Sequence, residues 1–373
     1  MMIKLVHRRL QALLTSWCLS VCAMPALGTT PAAACFRDAT WDGACLRALY
    51  QGAPASWPRP SIDVGVAWQE MGLVPEKAPE PVDNPSSPTK VDLGRQLFFD
   101  PRLSRQGSVA CASCHMPARS FTDGRIKAVG EDKMMGRRRT PTLFAAPFAP
   151  SLFWDGRAVT LEEQVLGPIQ NPFEMNHALA DVVSRLEGLP EYRASFAAAF
   201  GTGALSSGSV AKALAAFVRT IRPEPGRFTQ FLSGQTAALT DQEVLGLHLF
   251  RTKARCMNCH SGPLLSDMAF HDLGLSFYGG RNQDLGRFEV TRDKADLGHF
   301  RTPSLWGVSK AGPWMHNGIF PQLLGVVNMY NGGMGTVTGE PDDPYLPKKS
   351  PLIKKLNLTP EEIKALTAWL STL

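Results

Sequence analysis

A chain of 373 residues with 44% hydrophobic side chains is long and apolar enough for two or three ordinary domains with real cores. Its net charge is only +6, from 39 Lys and Arg against 33 Asp and Glu, and three of the basic residues lie in the first ten positions, so nucleic-acid binding has no electrostatic support. Glycine (33) and proline (29) together make up about a sixth of the chain, and valine-rich alternating runs are nearly absent. This predicts a mainly α fold, with helices joined by long irregular loops and little β.

In chain order, Lys4, Arg8 and Arg9 precede an apolar stretch from Leu10 to Leu27 and small residues from Gly28 to Ala34, the three-part layout of a secretory signal. The predicted signal peptide is 1–34, cleaved after Gly28 or Ala34. A retained membrane anchor is the alternative, opposed by Gln11, Thr15, Ser16, Ser20 and Pro25 inside the run. Export predicts a periplasmic protein with no membrane span once the signal is removed. Of eight cysteines, Cys18 and Cys22 leave with the signal. Cys35 and Cys45 then form a disulfide in an oxidising compartment, or remain as two free thiols, since spacing alone does not decide. Residues 35–88, which hold both and many prolines, read as an irregular N-terminal extension.

Helix starts are marked by Thr160 with Glu163, Thr240 with Glu243, and Thr359 with Glu362, the last followed by Pro360 at the first helical position. Ile363, Leu366, Trp369, Leu370 and Leu373 then share one helical face, and Ser209 to Ile221 predicts another helix with Leu214, Phe217, Val218 and Ile221 buried. A repeat is also visible. Gly94-Arg-Gln-Leu97-Phe98 and Gly246-Leu-His-Leu249-Phe250 each end a helix just ahead of a Cys-X-X-Cys-His motif.

Those motifs are Cys111, Cys114, His115 and Cys256, Cys259, His260. Two cysteines three apart present their sulfurs to the vinyl groups of one haem, and the adjoining histidine offers its imidazole to the iron. With eight Cys and eight His, one such pentapeptide arises by chance in roughly 0.004 of chains this long, so two together point to two covalently bound haem c groups. A dithiol does not call for a trailing His twice, and zinc ribbons keep their cysteine pairs closer than Cys114 and Cys256. The predicted division is an N-terminal haem domain at 89–222 and a C-terminal haem domain at 223–373.

The segments LGRQLFFDPRL (Leu93 to Leu103), SCHMPARSFTDG (Ser113 to Gly124), FWDGRAVTLEEQVLGPIQNPFEM (Phe153 to Met175), FRTPSL (Phe300 to Leu305) and GPWMHNG (Gly312 to Gly318) resemble the bacterial dihaem cytochrome c peroxidase and MauG superfamily. The resemblance covers nearly all of residues 90–373. It implies two cytochrome-c-like helical domains, a haem in each, and reaction with hydrogen peroxide at the N-terminal haem. A peroxidatic haem needs an open iron face, a group to position peroxide and an acid-base to move its proton. By the resemblance, Gln164 is the positioning group, Glu174 the proton shuttle, and Trp154 the tryptophan between the haems.

Two positions separate the branches of the superfamily. Where peroxidases carry a histidine that blocks the N-terminal iron, this chain has Glu131, so the resemblance implies an open first haem, as in MauG. Where peroxidases place a methionine on the second iron, Tyr330 aligns, with Met329 and Met334 as rival ligands. A phenolate is a hard anionic donor that favours ferric iron, whereas a thioether favours ferrous iron.

Other departures limit the transfer. The tryptophan that MauG sets two residues before its second motif is Ala254 here, and an arginine expected near the haem propionates is replaced in Leu305-Trp306-Gly307-Val308. Relatives hold calcium between the haems with an asparagine and backbone carbonyls. Ala311 and Pro313 still offer carbonyls, but Arg139 stands in the asparagine's place, and a guanidinium repels a dication.

The leading expectation is a MauG-like oxidase that uses peroxide to oxidise a periplasmic partner protein. The alternatives are a peroxidase drawing electrons from a small cytochrome c or cupredoxin, and a non-catalytic electron carrier, which needs no distal acid-base pair.

Overall fold

The computed structural model describes residues 31–373, so most of the predicted signal, 1–30, lies outside the described residues. Among these, twelve α-helices and only two two-stranded sheets form, as a loop-rich helical sequence requires. None of these helices is long and apolar enough to cross a membrane.

The chain opens with the hairpin β1 (Phe36–Arg37) and β2 (Thr40–Trp41) and the helix α1 (Gly43–Leu49), whose first turn is capped by Asp42 accepting from Cys45 N at 3.0 Å. A Cys35–Cys45 disulfide closes this unit. Residues 50–87 then run as a strap over the second half of the chain. Tyr50 Oη pairs with His248 Nδ1 at 2.9 Å, and Asp63 N donates to Asn258 Oδ1 at 2.8 Å. The fully buried Arg251 binds the Glu70 carboxylate and Pro58 O, which compensates a charge that would be costly alone. Beyond residue 75 the strap crosses to the first half, where Arg222 and Arg219 donate to Glu76 O and Pro79 O, and Asn84 joins Glu162.

The first half contains α2 (Pro88–Phe99), α3 (Cys111–Cys114), α4 (Leu161–Gln170), α5 (Leu179–Glu187), α6 (Pro190–Phe200) and α7 (Ser207–Val218). The second contains α8 (Arg227–Leu232), α9 (Asp241–Arg251), α10 (Phe288–Thr291), α11 (Leu323–Asn331) and α12 (Pro360–Leu370), with β3 (Phe270–Asp272) antiparallel to β4 (His299–Arg301). Thr240 with Glu243 and Thr359 with Glu362 make complete reciprocal caps. Thr160 caps only one way, because Glu163 Oε2 reaches back to Val159 N.

The sequence repeat has a packing cause. α2 crosses α7 at Gly94, where a Cβ would lie 1.9 Å from Ala213 O. α9 crosses α12 at Gly246, where a Cβ would lie 2.1 Å from Ala365 O. Only glycine admits backbones that close. Each crossing brings an aromatic from the first helix, Phe98 or Phe250, to the wall of a cavity beside a Cys-X-X-Cys-His motif. The halves are tied by Arg138, part-buried between Asp155 at 2.5 Å and Asp284 at 2.7 Å.

Candidate haem sites

The two cavities are built alike. The first, about 650 Å³ with its open mouth included, is lined by Cys111, Cys114 and His115 and by Phe98, Leu214 and Val218 from the crossed helices. The second, about 1610 Å³ on the same measure, is lined by Cys256, Cys259 and His260 with Phe250, Leu366 and Leu370. His115 Nδ1 pairs with Phe121 O at 2.9 Å and His260 Nδ1 with Leu265 O at 3.0 Å. Each carbonyl accepts the Nδ1 proton, fixes the tautomer and leaves Nε2 for a metal.

Burial lowers the pKa of both imidazoles, which keeps them neutral donors. It pushes all four thiols up to about 12, so none is a thiolate poised for nucleophilic attack. The four sulfurs are unpaired, in contrast to Cys35 and Cys45. A haem also brings carboxylates, and the second cavity holds buried guanidinium groups from Arg139 and Arg301 that have no carboxylate partner among the described residues. Burial pushes the pKa of both down to about 10. The residues present therefore fit one haem in each cavity.

In the first cavity, α4 and the turn after it supply the polar groups. Gln164 lines the wall from the second turn of α4, and Glu174 from the loop that follows. Pro168 cannot donate to the Gln164 carbonyl, and α4 stops at Gln170. The chain is then folded back by Glu174 N to Asn171 O at 2.9 Å and Met175 N to Pro168 O at 3.1 Å. Asn171 Nδ2 donates to Glu174 Oε1 at 2.7 Å. Burial raises the Glu174 pKa, opposed by the Asn171 hydrogen bond and by Arg157. A part-buried carboxyl with a raised pKa suits an acid-base group.

Glu131 is buried with its Oε1 accepting from Gln106 N at 2.7 Å and Ser108 Oγ at 3.2 Å. Its neighbour Gly130 lines the cavity, while its own Oε1 is committed to the 106–108 loop and Oε2 lies 3.9 Å from Arg105 Nε.

The second cavity collects residues from both halves. Tyr330, on α11, lines it with His260, and its hydroxyl has no hydrogen-bond partner among the described residues. Burial raises the phenol's pKa. Met329 and Met334 are not on the wall, and Met334 is buried with its N–H bound to Met329 O at 2.8 Å. Trp154 lines the cavity, its indole N–H donating to Arg139 O at 2.9 Å and its carbonyl accepting from Arg301 N at 2.9 Å. Ala254 lies on the wall, whereas Trp306 packs behind it against Phe228, donating to Pro263 O at 2.7 Å.

Two wall residues were not singled out from the sequence. Arg301 puts on the wall a guanidinium that position 306 does not supply; its place in FRTPSL was the available signal. His316, in GPWMHNG, stacks on Phe300 at 3.6 Å with Nε2 unpartnered among the described residues, and burial pushes its pKa down to about 3.

A family model described as di-haem cytochrome c peroxidase matches residues 88–237. The methylamine utilization protein MauG of Methylophilus methylotrophus is 39% identical over 69% of this chain and 76% of its own. A cytochrome-c peroxidase of Pseudomonas sp. (strain SCT) is 33% identical over 79% of this chain and 83% of its own. A crystal structure of a MauG-like protein associated with microbial copper homeostasis superposes with a TM-score of 0.73 at 33% identity, covering 84% of this chain and 95% of that one. With its paired cavities and these relatives, the chain belongs to the di-haem cytochrome c peroxidase and MauG superfamily, haem-dependent peroxidase-type oxidoreductases that carry two haems.

Proposed function

We propose that the protein is a MauG-like oxidase of the periplasm, exported by the signal at 1–34, which reacts with hydrogen peroxide in the first cavity and oxidises a partner protein. In this reading both haems are attached covalently, through Cys111 and Cys114 in a domain at 89–222 and through Cys256 and Cys259 in a domain at 223–373. The haems, when bound, supply redox-active iron held by His115 and His260.

The chain's own groups do the rest. Gln164 positions the peroxide, and Glu174 takes its proton from one oxygen and returns it to the other as the O–O bond breaks. Trp154, fixed by its bond to Arg139 O, lies on the route between the two sites. Tyr330 would hold the second iron through its phenolic oxygen, a donor that favours oxidised iron.

The observation that carries the reading is the wall of the first cavity. Gln164 and Glu174 share it with His115, while the residue at 131 is a carboxylate tied to Gln106 and Ser108 rather than a histidine available to the iron. This supports a first haem open to peroxide without prior reduction. Low-temperature spin-resonance spectra of the fully oxidised protein test it: one high-spin and one low-spin haem are expected. Two low-spin haems, with no reaction towards peroxide until an electron is added, would return the protein to the peroxidases fed by a small cytochrome c or cupredoxin.

A further inference from the structure

We propose that the guanidinium of Arg139 is a built-in cation at the junction of the two haem sites, binding a haem carboxylate and taking the place of a divalent metal ion between them. The proposal rests on haem occupancy of the two cavities, not on which partner is oxidised.

Arg139 stands where both halves meet. Its N–H donates to His316 O at 2.9 Å, its carbonyl accepts from the Trp154 indole at 2.9 Å, and its Nη2 donates to Ala311 O. It lines the second cavity, and Pro141, two residues on, lies beside His115 of the first motif. The side chain is buried with Nε unpartnered among the described residues, and it forms no ion pair with any described carboxylate. Asp123 acts on it only through space. A buried guanidinium with no ion pair, offset only by Asp123 through space, is costly unless a closer anion arrives, and the carboxylates of a bound haem are the anions that belong here.

The same geometry excludes a dication. A calcium site needs several oxygen ligands converging on one point. Here the Ala311 carbonyl is already occupied by an N–H donor, and the side chain that donates to it is itself positive. Calcium, which the superfamily resemblance implies, does not fit these residues.

The test uses the purified dihaem protein. After dialysis against a chelator, elemental analysis is expected to find well under one calcium per chain, and adding calcium back should leave the haem spectra and both reduction potentials unchanged. Arg139→Gln should make reduction of the second haem about tenfold less favourable, a fall of about 59 mV for a one-electron couple, because a nearby positive charge that favours the reduced state is lost. Arg139→Lys should retain most of the wild-type potential. Stoichiometric calcium in the wild type, chelator-sensitive spectra, or unchanged potentials in Arg139→Gln would each overturn the proposal. If Arg139→Gln does not fold, the wild-type metal content still decides it. None of these readings depends on how the protein reacts with peroxide.

Discussion

The backbone N–H of Glu131 donates to the carbonyl of Glu174 at 2.8 Å, so the loop that would carry a blocking ligand is the same one that holds the acid-base candidate in place. Gly130 makes this approach feasible, since a Cβ there would fall 2.3 Å from the carbonyl oxygens of both Phe173 and Glu174.

Gly130→Ala should therefore displace Glu174 while both haems stay attached. A misplacement on the order of 1 Å can cost about 10²-fold in rate, and a loss of that size is expected in stopped-flow mixing with peroxide. A variant as fast as wild type would show that the loop contact does not position the carboxyl.

Glu174→Gln should slow peroxide activation by about 10²- to 10⁴-fold, the range for losing a general acid-base group. The pH profile gives an independent readout. Burial raises the Glu174 pKa, so the carboxyl stays protonated to a higher pH than an ordinary glutamate, and a protonated carboxyl cannot accept the peroxide proton. The rate should fall on the acid side as pH drops through that raised value. Arg157 pulls the pKa down, so Arg157→Gln should move this limb to higher pH, and Glu174→Gln should abolish it.

The glycine crossings predict stability effects. Gly246→Ala forces a methyl onto the Ala365 carbonyl, and Gly94→Ala forces one onto the Ala213 carbonyl. Overpacking of this kind costs about 1–3 kcal/mol, visible as a lower Tm of each holoprotein. Gly72→Ala is the control, because its Cβ would meet Pro263 at 3.6 Å, an ordinary contact. Equal melting of all three variants would mean that the helices can slide apart without loss.

What could be read in advance follows from distance along the chain. The haem motifs, the caps at Thr240 and Thr359, and the paired Gly94 and Gly246 are local signals, each complete within a few residues. The partners of the N-terminal strap are not local: Tyr50 reaches His248, and Glu70 reaches Arg251. No periodicity records such a pairing. Arg301 and His316 follow the same rule, because the lack of a carboxylate partner at Arg301 and of a hydrogen-bond partner at His316 Nε2 appears only once distant loops close around them. At Thr160 the sequence pattern was present, yet Glu163 chose Val159 N instead, a competition between two nearby donors that spacing cannot rank.

The last expectation concerns Tyr330, whose ring shares the second cavity with His260 while both neighbouring methionines stay off the wall. A phenolate on the second iron stabilises its oxidised state, whereas a neutral thioether destabilises it relative to the reduced one. Tyr330→Met should therefore raise the reduction potential of the second haem, by at least about 59 mV if the equilibrium shifts tenfold or more. A spectroelectrochemical titration of wild type and variant measures this. Peroxide mixing with each fully oxidised form then reads the consequence: the wild type should react without added electrons, and the variant should hold the resulting oxidation less well. A wild type that already has a high-potential second haem and ignores peroxide until reduced would remove Tyr330 from the iron and, with it, the reason to separate this protein from the cytochrome c peroxidases.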